Sequence, residues 1–234
     1  MTKTDLLSNL NPPQKKAVET VDGPVLILAG PGSGKTRVIT HRIAYLVGVL
    51  GVRPHHIMAV TFTNKAAREM SSRLEALAGS AVKDLTLGTF HAICVRILRR
   101  EGKELGINPG FTIYDGDDQL KLVKAAIKQA GLDPKNYTPG AILSAISAAK
   151  SELLTPEELS QRVTGHFDEV VVKVYEIYRS SLARNNALDF DDLLMKTVKG
   201  LAANEAILKR YQEKYRHILV DEFQDTNLVQ YELV

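Results

Sequence analysis

The 234-residue sequence predicts an α/β protein, a parallel sheet with helices on both faces, interrupted by an all-helical segment. Three observations carry that expectation. Short apolar runs alternate with helix-period segments as far as Tyr114, and strands that alternate with helices pair in parallel. From Asp115 to Ala203 only helical signals remain. At His217 the strand pattern returns, so the sheet-bearing domain is discontinuous, 1–114 with 200–234, and the helical subdomain spans 115–199.

Val25-Leu-Ile-Leu-Ala29 is a short apolar run that ends in a glycine loop, which reads as a buried parallel strand. A helix follows from Lys35 to Leu46. Ile57–Phe62 is a second strand. Asn64 stands where a cap is needed for the next helix, whose Ala67, Met70, Leu74 and Leu77 share one face and which Gly79 stops. Asp84–Gly88 is a third strand, leading into a helix from Phe90 to Arg100 closed by Gly102. In the helical segment, Asp117 reads as the cap of a helix ending at Gly131. Thr138-Pro139 is a cap with proline at the first helical position, and Thr155–Glu158 has the spacing of a capping box. Val170, Val174, Ile177 and Leu182 form one stripe of a long helix, and another helix begins at Asp189. Ile218–Val220 is the last buried strand.

Composition narrows the class. Hydrophobic residues make up 44% of the chain, enough for a sizeable core. The longest purely apolar run, Val25–Ala29, is too short to cross a bilayer, and the first residues lack the apolar stretch of a signal peptide. Cys94 is the only cysteine, so no intrachain disulfide forms and the thiol reads as core packing. A cytoplasmic protein with no membrane partner is expected. Charge is uneven: Met1–Thr112 carries 15 Lys/Arg against 8 Asp/Glu, whereas Ile113–Lys199 carries 11 against 13. A basic first segment suits a polyanion such as nucleic acid, or is a solvated surface.

Ala29-Gly-Pro-Gly-Ser-Gly-Lys-Thr36 lies between an apolar run and a helix, the setting of a Walker A phosphate loop. Ala29 holds the place where the pattern usually has glycine. Around Pro31 and Ser33, the glycines Gly30, Gly32 and Gly34 let the backbone turn its N–H groups towards phosphate oxygens, and the helix N-terminus adds its positive end. Lys35 reaches the β- and γ-phosphates in this reading, and Thr36 Oγ1 ligates Mg²⁺. At the end of the last strand, Asp221 is placed to hold Mg²⁺ and Glu222 to orient and deprotonate the attacking water. Alone, these two acids would read as a solvated strand end. With the phosphate loop they read as nucleotide hydrolysis, because a small-molecule kinase does not need the second carboxylate.

Further motifs carry a resemblance. Leu10–Val18 is similar to a Q motif, in which Gln14 reads the adenine edge. Thr61–Met70 is similar to motif Ia, Gly88–Ala92 to motif Ib, Ala187–Leu194 to the segment near the return to the first domain, and Val220–Asn227 to motif II. In this order, over the whole chain, they resemble the UvrD/PcrA/Rep family of superfamily 1 DNA helicases. The resemblance implies a RecA-like domain interrupted by a helical subdomain, ATP and Mg²⁺ as cofactors, and 3′ to 5′ movement on single-stranded DNA with strand separation. It implies Phe62, Thr63, Asn64, Thr89, Phe90 and His91 as single-strand contacts, Gln224 as a link from the γ-phosphate to a second motor domain, and Arg37 beside the nucleotide. An aromatic such as Phe62 can stack on any base, though a core strand position explains it equally; a surface arginine and a helix-start histidine remain the alternatives for Arg37 and His91.

The family pattern continues with a motif III strand and a second RecA-like domain carrying an arginine finger. The expectation is therefore the front part of a longer product. Its sheet would be incomplete between the two Walker strands, its hydrolysis very slow and its unwinding nil. The motor portion of a helicase–nuclease, and a nucleotide-dependent DNA-binding module without motor activity, are the competing readings.

Overall fold

The computed structural model describes residues 3–30 and 32–234. The chain packs as two compact units, Met1–Ile93 with Leu208–Asp225, and Cys94–Ile207 with Thr226–Val234.

The first unit opens with α1 (Lys3–Leu7), α2 (Pro12–Glu19) and α3 (Lys35–Gly48). It continues through β1 (Ile57–Thr61), α4 (Asn64–Ala78) and β2 (Thr86–Thr89). The sheet has the order β2–β1–β5, where β5 is His217–Val220, and both pairings are parallel. All five residues of the central strand β1 are buried, as a strand flanked on both edges and covered by helices must be. Ile57, Ala59 and Leu219 pack with Ile43 and Leu46 of α3 and Met70 and Leu74 of α4. Arg42 of α3 donates to the carbonyls of Ala17 and Thr20, so its guanidinium closes the C-terminal end of α2, where carbonyls lack helical partners.

Two expectations need correction here. Thr63, not Asn64, caps α4: its Oγ1 accepts from the Ala66 N–H at 3.0 Å, while Gly79 ends the helix as expected. More importantly, Val25–Ala29 forms no strand. Leu26 and Leu28 are 68% and 87% exposed, and only Ile27 leans on the core formed by α1, α2 and α3. The reason lies in the ladder. β5 pairs with β1 on one edge, and among the described residues no strand lies along its other edge. An extended segment without a neighbour leaves its backbone groups to water and has no reason to stay a strand.

The second unit is helical, with one exception. Its elements are α5 (Phe90–Glu101, whose first turn belongs to the first unit), α6 (Gly116–Gln129), α7 (Pro139–Ser151), α8 (Pro156–Ser160), α9 (His166–Arg184), α10 (Phe190–Ala203), α11 (Glu205–Lys214, shared with the first unit) and, after β5, α12 (Leu228–Leu233). The exception is a short parallel pair, β3 (Thr112–Ile113) with β4 (Ala187–Leu188), which helical signals did not reveal. Asp115 rather than Asp117 caps α6, accepting from the Asp118 N–H at 3.0 Å. The capping box at Thr155–Glu158 is present. Val170, Val174 and Leu182 of α9 pack against Val123 and Ile127 of α6 and Ile146 of α7. Cys94 is buried against Thr197, and burial pushes its thiol up to about 12, so it is an inert packing group. The packing places most of α5 with the helices, whereas the sequence expectation kept residues up to 114 with the sheet. No helix among the described residues is long and apolar enough to cross a membrane.

The second unit also buries a charge. Lys150 of α7 is 1% exposed, and its Nζ lies 2.6 Å from Asp189 Oδ2 and 2.9 Å from Asp192 Oδ1. Tyr178 donates to the same Asp189 oxygen at 2.8 Å. Asp189 Oδ1 caps α10 by accepting from the Asp192 N–H.

Candidate functional site

The candidate phosphate loop runs from Ala29 to Thr36. Gly32 and Gly34 have φ of +72° and +88°, a region costly for any residue with a Cβ. Ser33 Oγ donates to the Gly30 carbonyl at 2.6 Å, bending the loop on itself. Pro31 lies outside the described residues. α3 starts with no acidic residue in its first turn and no side-chain cap at Gly34. The N–H groups of Lys35, Thr36 and Arg37 therefore lack helical acceptors, at the positive end of a helix 14 residues long. An oxyanion placed there meets aligned donors.

Gln14 is held on both sides of its amide. Its Oε1 accepts from the Asn11 N–H at 3.0 Å in a capping box that opens α2, and its Nε2 donates to the Ser33 carbonyl at 3.0 Å. A Cβ on Gly34 would meet that nitrogen at 3.2 Å. Thus the expected adenine reader is tied to the loop that would hold the phosphates. Asn11, which sequence reasoning did not select, is the residue that orients it; the Asn11-to-Gln14 spacing was the available signal.

β5 delivers the acidic pair. The Asp221 N–H extends the ladder by donating to the Val60 carbonyl at 2.9 Å, and the side chain is 4% exposed. Thr36 Oγ1 donates to Asp221 Oδ2 at 3.1 Å, joining residues 185 positions apart. A hydroxyl and a carboxylate oxygen so close can share one hard cation, with phosphate and water oxygens completing its shell. Among the described residues no three His, Cys, Asp or Glu side chains converge on a metal position. Lys35 Nζ lies 3.4 Å from the Ala29 carbonyl and 3.7 Å from Glu222 Oε2. Glu222 has φ +51°, a left-handed conformation that costs a non-glycine residue about 1–2 kcal/mol. Its Oε2 also accepts from Gln224 Nε2 at 2.5 Å. Arg37 is exposed on the first turn of α3.

The remaining candidates line the same edge of the sheet. β1 and β2 are in register with Thr61 opposite Thr89, so Phe62 and Phe90 leave the sheet side by side. Their ring centroids are 5.5 Å apart, edge to face. Phe90 is 1% exposed and supports Phe62 from within, whereas Phe62 is half-buried. Thr63 and Asn64 are exposed. Thr63 Oγ1 is engaged as the cap of α4, and Thr89 Oγ1 accepts from the Ala92 N–H at 3.2 Å. Burial pulls the His91 imidazole below its ordinary value, so it is neutral at pH 7 and acts as a hydrogen-bonding group rather than a cation.

Comparison with known proteins identifies the family. The family model described as the UvrD/REP helicase N-terminal domain matches residues 10–234. Over 229 residues, 98% of this chain, the sequence is 52% identical to the ATP-dependent DNA helicase PcrA of Bacillus subtilis. It is 47% identical over the same length to the proteins of that name from Staphylococcus aureus and Staphylococcus epidermidis. In each case the chain spans 31% of the relative's length. The chain belongs to the UvrD/REP helicase family, and what it matches there is the N-terminal domain.

Proposed function

We propose that this chain is the ATP-binding part of a cytoplasmic ATP-dependent DNA helicase that moves 3′ to 5′ on single-stranded DNA, a RecA-like motor domain carrying an inserted helical subdomain. The observation that carries the reading is the 3.1 Å contact between Thr36 and Asp221 beneath a helix N-terminus. In this reading Gln14 binds the adenine edge, and the N–H groups of residues 29–36 and the Lys35 ammonium bind phosphates. Thr36 Oγ1 and Asp221 hold Mg²⁺, which when bound neutralises phosphate charge. Glu222 takes the proton of the attacking water. Phe62 stacks on a base, backed by Phe90, while Thr63, Asn64, Thr89 and His91 line the strand's path.

Translocation requires two motor domains that close around the nucleotide, and the chain spans 31% of its relatives. We therefore place the second domain and its arginine outside these 234 residues. An arginine finger is worth about 10³–10⁵ in rate, so the chain alone hydrolyses ATP very slowly and does not unwind DNA. The test is ATP hydrolysis by the 234-residue chain, with and without single-stranded DNA, beside Lys35→Ala. Mg·ATP binding weakened but still measurable in the variant, with slow hydrolysis that DNA does not stimulate, is expected. Failure of the wild-type chain to bind Mg·ATP would overturn the nucleotide site. Strong DNA stimulation abolished by Lys35→Ala would overturn the need for a second domain. For the full-length protein, unwinding of 5′-tailed but not 3′-tailed duplexes would overturn the direction.

A further inference from the structure

Lys35 has one ammonium and two claimants. One is phosphate, in the nucleotide reading on which this inference rests. The other is Glu222, whose Oε2 stands 3.7 Å from Nζ. Several features hold the carboxylate there. The left-handed backbone of Glu222, φ +51°, turns the chain sharply after β5. The turn closes with the Asp225 N–H donating to the Glu222 carbonyl at 2.9 Å, in the short 3-10 segment Phe223–Asp225. That turn folds Gln224 back over its neighbour but one, and its amide donates to Glu222 Oε2. The same oxygen therefore faces a neutral donor on one side and the ammonium on the other. Both contacts of Lys35, at 3.4 and 3.7 Å, are longer than a charge-assisted hydrogen bond of about 2.8 Å, so the ammonium is drawn towards the carboxylate without being locked to it. A phosphate that took Lys35 would stand within a few ångströms of the carboxylate, and two anions so close repel.

We propose that Gln224 is a positioning residue that holds the Glu222 carboxylate against Lys35, so that Glu222 competes with nucleotide phosphate for the loop's lysine. Nucleotide binding then exchanges Lys35 from Glu222 to phosphate and leaves Glu222 oriented by Gln224 alone. The group that later accepts a proton from water is released from its cation only when phosphate is in place.

The test is a double-mutant cycle read by equilibrium binding of fluorescent Mg·ADP to the 234-residue chain at low ionic strength, with far-UV circular dichroism to check each variant's fold. Using ADP removes hydrolysis from the readout. Glu222→Gln should tighten binding about two- to five-fold, the size set by a partly exposed ion pair. Gln224→Ala should give part of that gain. Both gains should vanish in a Lys35→Met background and shrink as salt is raised. A gain that persists undiminished in Lys35→Met would mean plain repulsion between Glu222 and phosphate, and would overturn the competition. Weaker binding in Glu222→Gln would mean that Lys35 bridges both anions, which also overturns it. No effect of Gln224→Ala would remove Gln224 from the device. Absence of saturable binding by the wild-type chain would instead sink the nucleotide site, and the competition with it.

Discussion

Lys150→Met separates the buried ionic cluster from everything around it. The substitution keeps the length and most of the volume of the side chain and removes only the cation. In the wild-type chain Nζ sits between Asp189 and Asp192, and lysine and Asp189 are each 1% exposed. Burial pulls the lysine down, but the two carboxylates more than offset it and hold it above its ordinary value, so it is charged throughout the working range. Taking one partner out of such a cluster costs about 3–5 kcal/mol, because the remaining charges stay buried without compensation. That is a large share of the roughly 5–15 kcal/mol that keeps a domain folded. The loss also has a pH signature. Burial, then the charge of Asp189, pushes Asp192 up, and Lys150 is the main group pulling it back. Without the lysine the folded-state carboxyl rises further above the unfolded value of about 3.9. A raised acid favours the folded state only while it is protonated, so the stability it gives is full below that unfolded value and drains away as pH climbs. The variant should accordingly be most impaired at pH 7 and partly recover at pH 5. Urea unfolding followed by far-UV circular dichroism gives the free energy. The near-UV signal includes the cluster, since the chain has no tryptophan and two of its eight tyrosines, Tyr175 and Tyr178, pack against Lys150. A loss below about 1 kcal/mol, or an equal loss at both pH values, would refute the view that these carboxylates depend on Lys150.

Three further outcomes follow from the sheet-bearing unit. Asp221→Asn removes the charged oxygen beside Thr36 and should weaken Mg·ATP binding roughly ten-fold, about 1.4 kcal/mol, while leaving binding in excess chelator unchanged; isothermal titration with and without Mg²⁺ distinguishes the two. Phe62→Ala should weaken binding of a single-stranded oligonucleotide by about 1–3 kcal/mol regardless of its sequence, read by fluorescence anisotropy, and an unchanged affinity would remove Phe62 from the interface. The His217 imidazole lies below its ordinary value through burial first, then through the charges of Arg42, His56 and Arg216. The unfolded chain therefore takes up its proton more readily than the folded one, and stability present above about pH 6.5 falls as pH drops below it. Melting temperatures across pH 7.5 to 5 should show that fall, and His217→Gln should lessen it while the part due to His41 and His91, which burial also lowers, remains.

The parts of this molecule that were readable from sequence are those set by local chemistry. The central strand β1 is apolar from Ile57 to Val60 because both its faces are covered. The candidate phosphate loop is legible because glycine accepts φ of +72° and +88°, as at Gly32 and Gly34, without the cost that a Cβ would add. The parts that were not readable depend on partners distant in sequence. Val25–Ala29 has the composition of a strand, but composition states what a segment would bury if a neighbour bonded to it, and no neighbour does here. The capping of α4 slipped by one residue because threonine and asparagine both make good caps, and only the geometry selects Thr63. The lysine in the apolar run of α7 and the aspartates at the start of α10 were each visible, yet nothing in the sequence joins residues 39 positions apart. Nor does any propensity announce a left-handed glutamate.

That glutamate connects the two halves of the candidate site. Val60 lies opposite Val220, Thr61 lies opposite Thr89, and the Asp221 N–H bonds to the Val60 carbonyl. The residue that stacks on a base in the proposed function thus follows the strand next to the one that delivers the acidic pair, about 4.8 Å away across the ladder. Proximity alone transmits nothing, because the ladder is stiff and β1 is buried along its whole length. Coupling needs an element with two arrangements that both ligands bias. The strands and the cap at Thr63 do not offer one, being held by regular hydrogen bonds. Glu222 does. Its backbone sits in a costly region, its side chain is shared between Lys35 and Gln224, and it joins the rigid end of β5 to a short turn. In the proposed competition phosphate acts on it through Lys35, and whatever contacts Gln224 acts on it through the same oxygen. A substitution at Gln224 should therefore alter how strongly nucleotide and DNA influence one another, whereas one at Thr63, which caps α4 and lines the strand's path in the proposed function, should change DNA affinity without changing that influence.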